Sequence, residues 1–218
     1  MPWETRARGI RKWLPRAAVI YDPPIEHTLK RLAPGARIAD VGAGGRRITP
    51  ETVTIDLLEG PDIDVSCDVH AIPLPDGSFD CVFCTGTLQY TQEPARVLAE
   101  IHRLLRPGGL VHLELPFLQG YTPDPEDYWR WTLKGARLFC ERAGFEQVES
   151  GTHMGPTSAL VWIAVYYLGG LLPGRLGSAL SHASRFLFRP FLVLDRFWRH
   201  HPDAPIIASG VYVVGRKR

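Results

Sequence analysis

Two kinds of hydrophobic pattern alternate along the chain: short runs of β-branched and other apolar residues, and longer stretches in which apolar residues recur every three or four positions. The second kind predicts amphipathic helices near 94–105 and 133–143. The short runs predict strands, which we expect near 38–41, 53–56, 64–67, 79–85, 110–115 and 145–150, with a last one near 206–214. Such alternation is typical of an α/β fold with a largely parallel sheet.

The first predicted strand runs directly into a turn rich in glycine. Asp40 lies near the end of the strand, and Gly42 and Gly44 follow it. Glycine lets the backbone approach a ligand closely and adopt a positive φ, so the turn is typical of a nucleotide-binding loop. The second strand ends at Asp56, and a carboxylate at that place accepts hydrogen bonds from ribose hydroxyls in doubly wound folds.

Further motifs follow in order. They are Asp68 in a Cys-Asp-Val-His segment, a strand over 79–84, and a helix exit over 105–109 that ends in Pro-Gly-Gly. Together with the glycine turn and Asp56, this set resembles the class I S-adenosylmethionine (SAM)-dependent methyltransferases, in particular the bacterial type 11 group, over residues 36–150. The resemblance implies a Rossmann-like, mostly parallel sheet of seven strands with the last strand antiparallel, and a helical insertion before that strand.

The resemblance also implies SAM as the cofactor and assigns residues to it. The glycine turn would hold the methionine end of SAM, the acid after the second strand its ribose, and the acid after the third strand its adenine amine. Carried onto this chain, the cofactor-binding set is Asp40, Gly42, Gly44, Asp56, Leu57, Asp68, Val69 and Thr85.

The chain departs from the family pattern directly after the glycine turn. Arg46 stands where the family has its third glycine, and only about six residues separate Gly45 from Thr52, too few for a helix of three turns. Pro50 shortens any helix further. The chain resembles a subgroup with such a short first connection. We interpret Arg46 and Arg47 as solvated loop arginines, with a place at the pocket rim as the alternative.

We expect the acceptor site in the loops after the strands, because ligands of open α/β sheets bind outside the carboxyl ends of the strands. The segment 116–132 is dense in aromatic and charged residues, and a purely structural loop is the alternative. Gln89 and Tyr90 replace a histidine that the resembled family often has, so no histidine base is assumed there. The candidate bases are Asp124, Asp127, Tyr128 and His153, and the candidate substrate-binding residues are Tyr90, Gln119, Tyr121, Arg130 and Trp162.

The chain divides into four predicted parts: a basic arm and lid helix over 1–35, the SAM-binding core over 36–152, a helical insertion over 153–204 and the final strand over 205–218. The insertion contains an apolar run over 159–172, which is shorter than the roughly twenty residues that a membrane span requires. We expect it to cover the acceptor site. A homodimer face and peripheral contact with a membrane surface are the alternatives.

The composition fits a globular enzyme and limits the classes of partner that we expect. The 218 residues are 45% hydrophobic, and a formal net charge of +2 is too small to indicate nucleic acid by itself. We expect a small-molecule acceptor and no nucleic acid. Cys81 and Cys84 have no second C-x-x-C pair, so we interpret the four cysteines as core residues and expect no metal site. The basic amino terminus lacks the apolar stretch of a signal peptide, and we expect a cytoplasmic location.

These observations predict a SAM-dependent methyltransferase that acts on a small-molecule, lipid-linked or glycan-linked acceptor by O- or N-methylation. Two alternatives stay open. The lost third glycine permits a noncatalytic scaffold of the same fold. The glycine turn and Asp56 also suit an NAD-dependent oxidoreductase, although the turn lacks the G-x-G-x-x-G pattern and Asp68 would then have no role.

Overall fold

A computed structural model describes residues 24–122, 126–198 and 201–218. These residues fall into two compact units. The first, called here the sheet unit, holds the described residues of 24–116, 128–151 and 211–218, and the second, called here the helical unit, holds the described residues of 117–127 and 152–210.

The sheet has seven strands in the order β3-β2-β1-β4-β5-β7-β6. The first five pair in parallel, and the last strand runs antiparallel, which confirms the predicted fold class. The strands are β1 (Ile38–Val41), β2 (Val53–Asp56), β3 (Val65–Ser66), β4 (Phe79–Thr85), β5 (Leu105–Pro116), β6 (Phe145–Met154) and β7 (Gly210–Lys217).

Helices flank the sheet within the same unit. They are α1 (Pro24–Leu29), a 3-10 turn (Leu88–Tyr90), α2 (Pro94–Leu104) and α3 (Leu133–Arg142). Helix α2 begins with Pro94, whose missing N–H costs nothing in a first turn. Its apolar stripe is fully buried, as the three-to-four spacing predicted.

Strand bounds differ from the predicted ones where pairing is not local. Strand β5 begins at Leu105 rather than near 110, because Leu105 pairs with Phe79 and the register then shifts before Leu110 pairs with Cys81. Such an irregularity accommodates Pro107 within a strand, since proline cannot donate a ladder hydrogen bond. The last strand begins at 210 rather than 206, because residues 204–206 form a 3-10 turn.

The central strands are buried on both faces, as expected for a parallel sheet covered by helices. Ala39 and Val41 of β1 and Val82 of β4 are fully buried. Cys81 and Cys84 are fully buried as well, and burial raises the pKa of both thiols far above the usual value. They pack as small core residues, as the sequence predicted.

The helical unit contains α4 (Pro156–Gly170), α5 (Gly174–Phe188), a 3-10 segment (Arg189–Leu194) and α6 (Asp195–Trp198). Asp195 is fully buried and accepts hydrogen bonds from the backbone N–H groups of Thr157 and Ser158 and from the Ser158 hydroxyl. A carboxylate at the first turn of α4 also suits the helix dipole.

Among the described residues, no helix is long and apolar enough to cross a membrane.

Candidate active site at the carboxyl ends of the strands

The strand order reverses between β1 and β4, and ligands of open α/β sheets bind at such a point. Asp40, near the end of β1, is fully buried there. Arg46 reaches back over it: Nη2 of Arg46 lies 2.8 Å from Oδ2 of Asp40 and donates to Oγ1 of Thr85 at 2.6 Å. The guanidinium therefore bridges the ends of β1 and β4.

Our interpretation of Arg46 and Arg47 as solvated loop arginines is wrong for Arg46, whose guanidinium contacts the fully buried Asp40. Arg46 belongs to the site, and Arg47 makes an ion pair with Asp64 at 2.9 Å. The short connection after β1 leaves no helix on which to project these side chains outward. They turn instead onto the carboxylates of β1 and of the residue before β3.

The Asp40 carboxyl is electrostatically strained. Loss of solvent on burial raises its pKa to about 6, while the Arg46 charge and hydrogen bond oppose the shift and the charges of Glu114 and Asp56 add to it. Oδ1 of Asp40 has no hydrogen-bond partner among the described residues. A buried carboxylate oxygen in that condition is costly, so the site is built to receive a donor or a positive charge.

The glycine turn presents two different surfaces. Gly42 has φ 74°, and a Cβ there would lie 2.1 Å from the Thr87 hydroxyl oxygen. Gly44 and Gly45 have φ values of 57° and 77°, and a Cβ on either would meet no atom within 4 Å. Gly42 is therefore required for packing against Thr87, whereas the backbone at 44–45 is bare and accessible to a ligand.

Asp56, at the end of β2, holds the turn in place. Its Oδ2 accepts from the backbone N–H of Gly44 at 2.7 Å, and its Oδ1 accepts from the N–H of Leu58 at 3.0 Å. Each carboxylate oxygen can accept two hydrogen bonds, so both keep acceptor capacity. Leu57 and Leu58 are 72% and 64% exposed beside it. The arrangement suits a ligand with vicinal hydroxyls and a flat apolar group.

Asp68 and Val69 follow β3, the edge strand. The Asp68 side chain is 65% exposed, and the hydrogen bonds it accepts from the backbone N–H and then the ring of His70 lower its pKa. Val69 is buried. Asp68 therefore stays ionised at neutral pH and keeps an oxygen exposed to solvent.

Two further polar residues near the turn, Thr87 and Glu114, were not predicted from the sequence. Thr87 donates a hydrogen bond to the Gly42 carbonyl at 3.2 Å and so fixes the turn against the loop after β4. Glu114 pairs in register with Thr85, and its Oε1 lies 3.4 Å from Nε2 of the buried His112. The available signal for Glu114 was a polar residue two positions before the end of an apolar strand.

The predicted acceptor residues of the sheet unit lie on two connected loops. The backbone N–H of Tyr128 donates to the Gln89 carbonyl at 2.7 Å, and Nε2 of Gln92 donates to the Tyr128 hydroxyl at 3.1 Å. Tyr90 ends the intervening 3-10 turn. Nη1 of Arg130 donates to the Trp129 carbonyl at 2.8 Å. These contacts place Tyr90 and Tyr128 on neighbouring loops after β4 and β5.

The other candidates lie in the helical unit. In that unit the Asp127 carboxylate accepts from the Thr122 N–H at 3.0 Å, and Nε2 of Gln119 contacts the Met154 sulfur at 3.9 Å. Tyr121 is exposed, and Trp162 stacks on Tyr166 with ring centroids 5.8 Å apart.

His153 lies on β6 rather than in the loop after it, because the strand extends to Met154. The side chain is buried, and its ring packs against the backbone of Gly210, where a Cβ would collide with it. Asp124 falls outside the described residues.

A cavity of about 670 Å³ lies at the opposite end of the sheet, between α1 and the first residues of β1 and β2. Leu29, Leu32, Arg37 and Glu51 are among the residues that line it. The carboxylates and the bare glycine backbone described above are all at the other end of the strands. The polar residues of the candidate site therefore do not line this cavity.

The central part of the chain is similar in sequence to known proteins. Residues 40–113 match the sequence model of a family described as a methyltransferase domain. The demethylmenaquinone methyltransferase of Renibacterium salmoninarum is 37% identical over 93 residues, 35% of this chain and 39% of that protein. The tRNA U34 carboxymethyltransferase of Campylobacter curvus is 28% identical over 92 residues, 37% and 31% of the two chains. The matches thus span less than half the length of these relatives.

A solved structure extends the likeness of the fold. The 1,6-didemethyltoxoflavin-N1-methyltransferase of Burkholderia thailandensis, solved with its substrate and S-adenosylhomocysteine, superposes with a TM-score of 0.56 at 19% identity, over 99% of this chain and 80% of that one. Sheet order, the glycine turn and the carboxylates at the ends of β1 and β2 occur together in this chain with the family match. Residues 40–113 are therefore similar in sequence to a methyltransferase domain, and the fold of the chain is that of a solved methyltransferase with bound S-adenosylhomocysteine.

Proposed function

We propose that this protein transfers the methyl group of SAM to a small-molecule, lipid-linked or glycan-linked acceptor, by O- or N-methylation. The observation that carries the proposal is the buried Asp40 carboxylate with its unpaired Oδ1, next to the bare backbone of Gly44 and Gly45 at the point where strand order reverses. The unpaired Oδ1 of Asp40 makes no contact that stabilises the fold, which supports a ligand-binding role.

The residues of the site fit SAM in charge and shape. SAM carries a sulfonium, an ammonium and a carboxylate, and the site offers Asp40 to the positive groups and Arg46 to the negative one. Asp56 would hold the ribose, with Leu57 and Val69 beside the adenine and Asp68 toward its amine. Gly42, Gly44 and Thr85 would complete the SAM-binding site.

The chemistry supplied by the bound cofactor is a methyl group on an activated sulfonium. The protein therefore has to position the acceptor and exclude water, and a general base helps where the acceptor is a hydroxyl. Asp127, Tyr128 and His153 are the described candidates for that base. Tyr128 has the best-defined surroundings, because Gln92 donates to its hydroxyl and leaves the phenolic proton directed elsewhere.

Support for a small-molecule acceptor comes from the relatives. One is named for demethylmenaquinone, and the solved structure above holds 1,6-didemethyltoxoflavin. The tRNA-modifying relative is less similar in sequence. We therefore propose Tyr90, Gln119, Tyr121, Arg130 and Trp162 as residues that bind a small molecule rather than nucleic acid.

Calorimetric titration of the purified chain with SAM, with S-adenosylhomocysteine and with NAD tests the proposal. We expect binding of the first two ligands and none of NAD. Binding of NAD alone would instead support an oxidoreductase, and binding of none of the three would support a noncatalytic scaffold.

Replacing Asp56 with asparagine is expected to weaken SAM binding by about 2 kcal/mol, roughly thirtyfold in Kd, because one ribose hydroxyl loses a charged acceptor. The substitution also removes one backbone hydrogen bond, so loss of stability has to be separated from loss of the ligand contact. Asp64→Asn is the matched control, because Asp64 likewise accepts from a backbone N–H of β2, that of Thr54 at 2.9 Å. We expect normal SAM affinity for the Asp64 variant. Equal SAM affinities of the Asp56 and Asp64 variants would show that Asp56 does not contact SAM.

A further inference from the structure

The helical unit exposes an unusual amount of apolar surface. Fourteen of the twenty large apolar side chains that are exposed in the described residues lie between Leu160 and Ile207. Phe186 and Phe197 are 83% and 80% exposed. A contiguous segment this rich in exposed aromatic and aliphatic groups is a sign of an interaction surface rather than of ordinary scatter.

Helix α4 is apolar on all sides, although one side of it is exposed. Val161 and Val165 pack inward with Leu192 of the 3-10 segment. Leu160, Ile163 and Tyr167 recur on another side at spacings of three and four, and all three are more than half exposed. A helix that is apolar all round is normally covered all round, by protein or by lipid.

Three of the four exposed charged side chains among the described residues of 152–210 are positive. Residues 152–210 contain five arginines, no lysine, no glutamate and two aspartates. Asp195 is fully buried at the start of α4, whereas Arg175, Arg189 and Arg196 are exposed, as is Asp203. Basic side chains interleaved with exposed phenylalanine and leucine complement the anionic headgroups and the adjacent acyl chains of a bilayer.

We propose that the exposed apolar and basic side chains of residues 160–197, called here the apolar-basic surface, dock the protein on an anionic membrane surface. Helix α4 has 15 residues and is about 22 Å long, less than the roughly 30 Å of a hydrocarbon core. The helices accordingly lie along the interface, with Phe186 and Phe197 inserted among the acyl chains and the arginines at the headgroups. This docking is independent of the proposed methyl transfer.

Sedimentation of the full chain with lipid vesicles tests the proposal. We expect binding to vesicles of phosphatidylcholine mixed equally with phosphatidylglycerol, weak binding to phosphatidylcholine alone, and a decrease with added salt. The double variant Phe186→Gln, Phe197→Gln is expected to bind at least about tenfold more weakly, because each phenylalanine loses its transfer from water to the acyl chains. Leu138→Gln, which alters an exposed leucine of α3 in the sheet unit, is the matched control and should bind as the unaltered chain does.

Arg189→Gln with Arg196→Gln separates the basic from the apolar contribution. We expect this variant to lose about tenfold of the preference for anionic vesicles, while its residual binding to phosphatidylcholine stays unchanged. The basic amino-terminal residues are present in every variant and control, so they cannot account for differences between them. The proposal is overturned by equal sedimentation with and without anionic lipid. It is also overturned by a stable dimer that ignores vesicles and dissociates in the Phe186→Gln, Phe197→Gln variant.

Discussion

Replacing Gly42 with alanine is expected to destabilise the sheet unit by about 3 kcal/mol or more, because two independent penalties add. The backbone φ of 74° strains any residue with a Cβ, at a cost of about 1 kcal/mol. The new methyl group would also meet the Thr87 side chain at 2.1 Å, so the loop after β4 has to move. Urea unfolding monitored by far-ultraviolet circular dichroism measures the loss.

Gly35→Ala is the matched control for backbone strain alone. Gly35 has φ 77°, and a Cβ there would meet no atom within 4 Å. We expect it to cost about 1 kcal/mol. If Gly42→Ala lowers the free energy of unfolding by no more than Gly35→Ala does, Gly42 does not pack against Thr87 as described.

The stability of the protein is expected to fall as pH rises from about 4 to about 6, by about 3 kcal/mol, through the ionisation of Asp40 alone. Burial raises the folded-state pKa of Asp40 to about 6, above the unfolded value of 3.8. The folded protein therefore holds this proton more tightly, and between these pH values the unfolded chain loses it first. Ionisation of Asp40 thus stabilises the unfolded state relative to the folded one, and the effect levels off above pH 6.

Asp40→Asn isolates this contribution, because asparagine does not titrate and the other groups cancel in the comparison. Urea unfolding of both proteins from pH 4 to pH 8 gives the difference in free energy of unfolding as a function of pH. We expect the unaltered protein to lose stability relative to the variant as pH rises toward 6. A difference that stays constant with pH would mean that Asp40 is not strained by burial.

The Asp40 prediction concerns a residue that lowers the stability of the folded protein. A buried, incompletely paired carboxylate costs free energy, and the surrounding fold has to supply it. Asp40 is positioned by two fully buried neighbours in β1, Ala39 and Val41, so the packing of the strand compensates for the charge. The cost is consistent with a residue retained for a ligand rather than for the fold.

The central strands and the carboxylates at their ends could be predicted because their signals are local. The runs at 38–41, 53–56 and 79–85 coincide with β1, β2 and β4. Short β-branched runs bounded by glycine or acidic residues define such strands within a few positions. The position of Asp56 at a strand end follows directly from its place after one of these runs.

The contacts of the site could not be predicted because they depend on distant partners. Arg46 meets Thr85, 39 positions away, and only the pairing of β1 with β4 brings the two together. Glu114 belongs to the site through its register with Thr85. The early start of β5 likewise depends on pairing with Phe79. No local pattern encodes the register of parallel strands joined by a crossover.

Hydrogen–deuterium exchange with and without saturating S-adenosylhomocysteine tests most directly whether the cofactor binds at the carboxyl ends of the strands. We predict slower exchange of the backbone amides at 42–46 and 56–58, which carry the bare glycine turn and the Asp56 carboxylate. Unchanged exchange in these segments, with protection instead at 29–37 and 49–53 around the cavity at the opposite end of the sheet, would contradict the assignment.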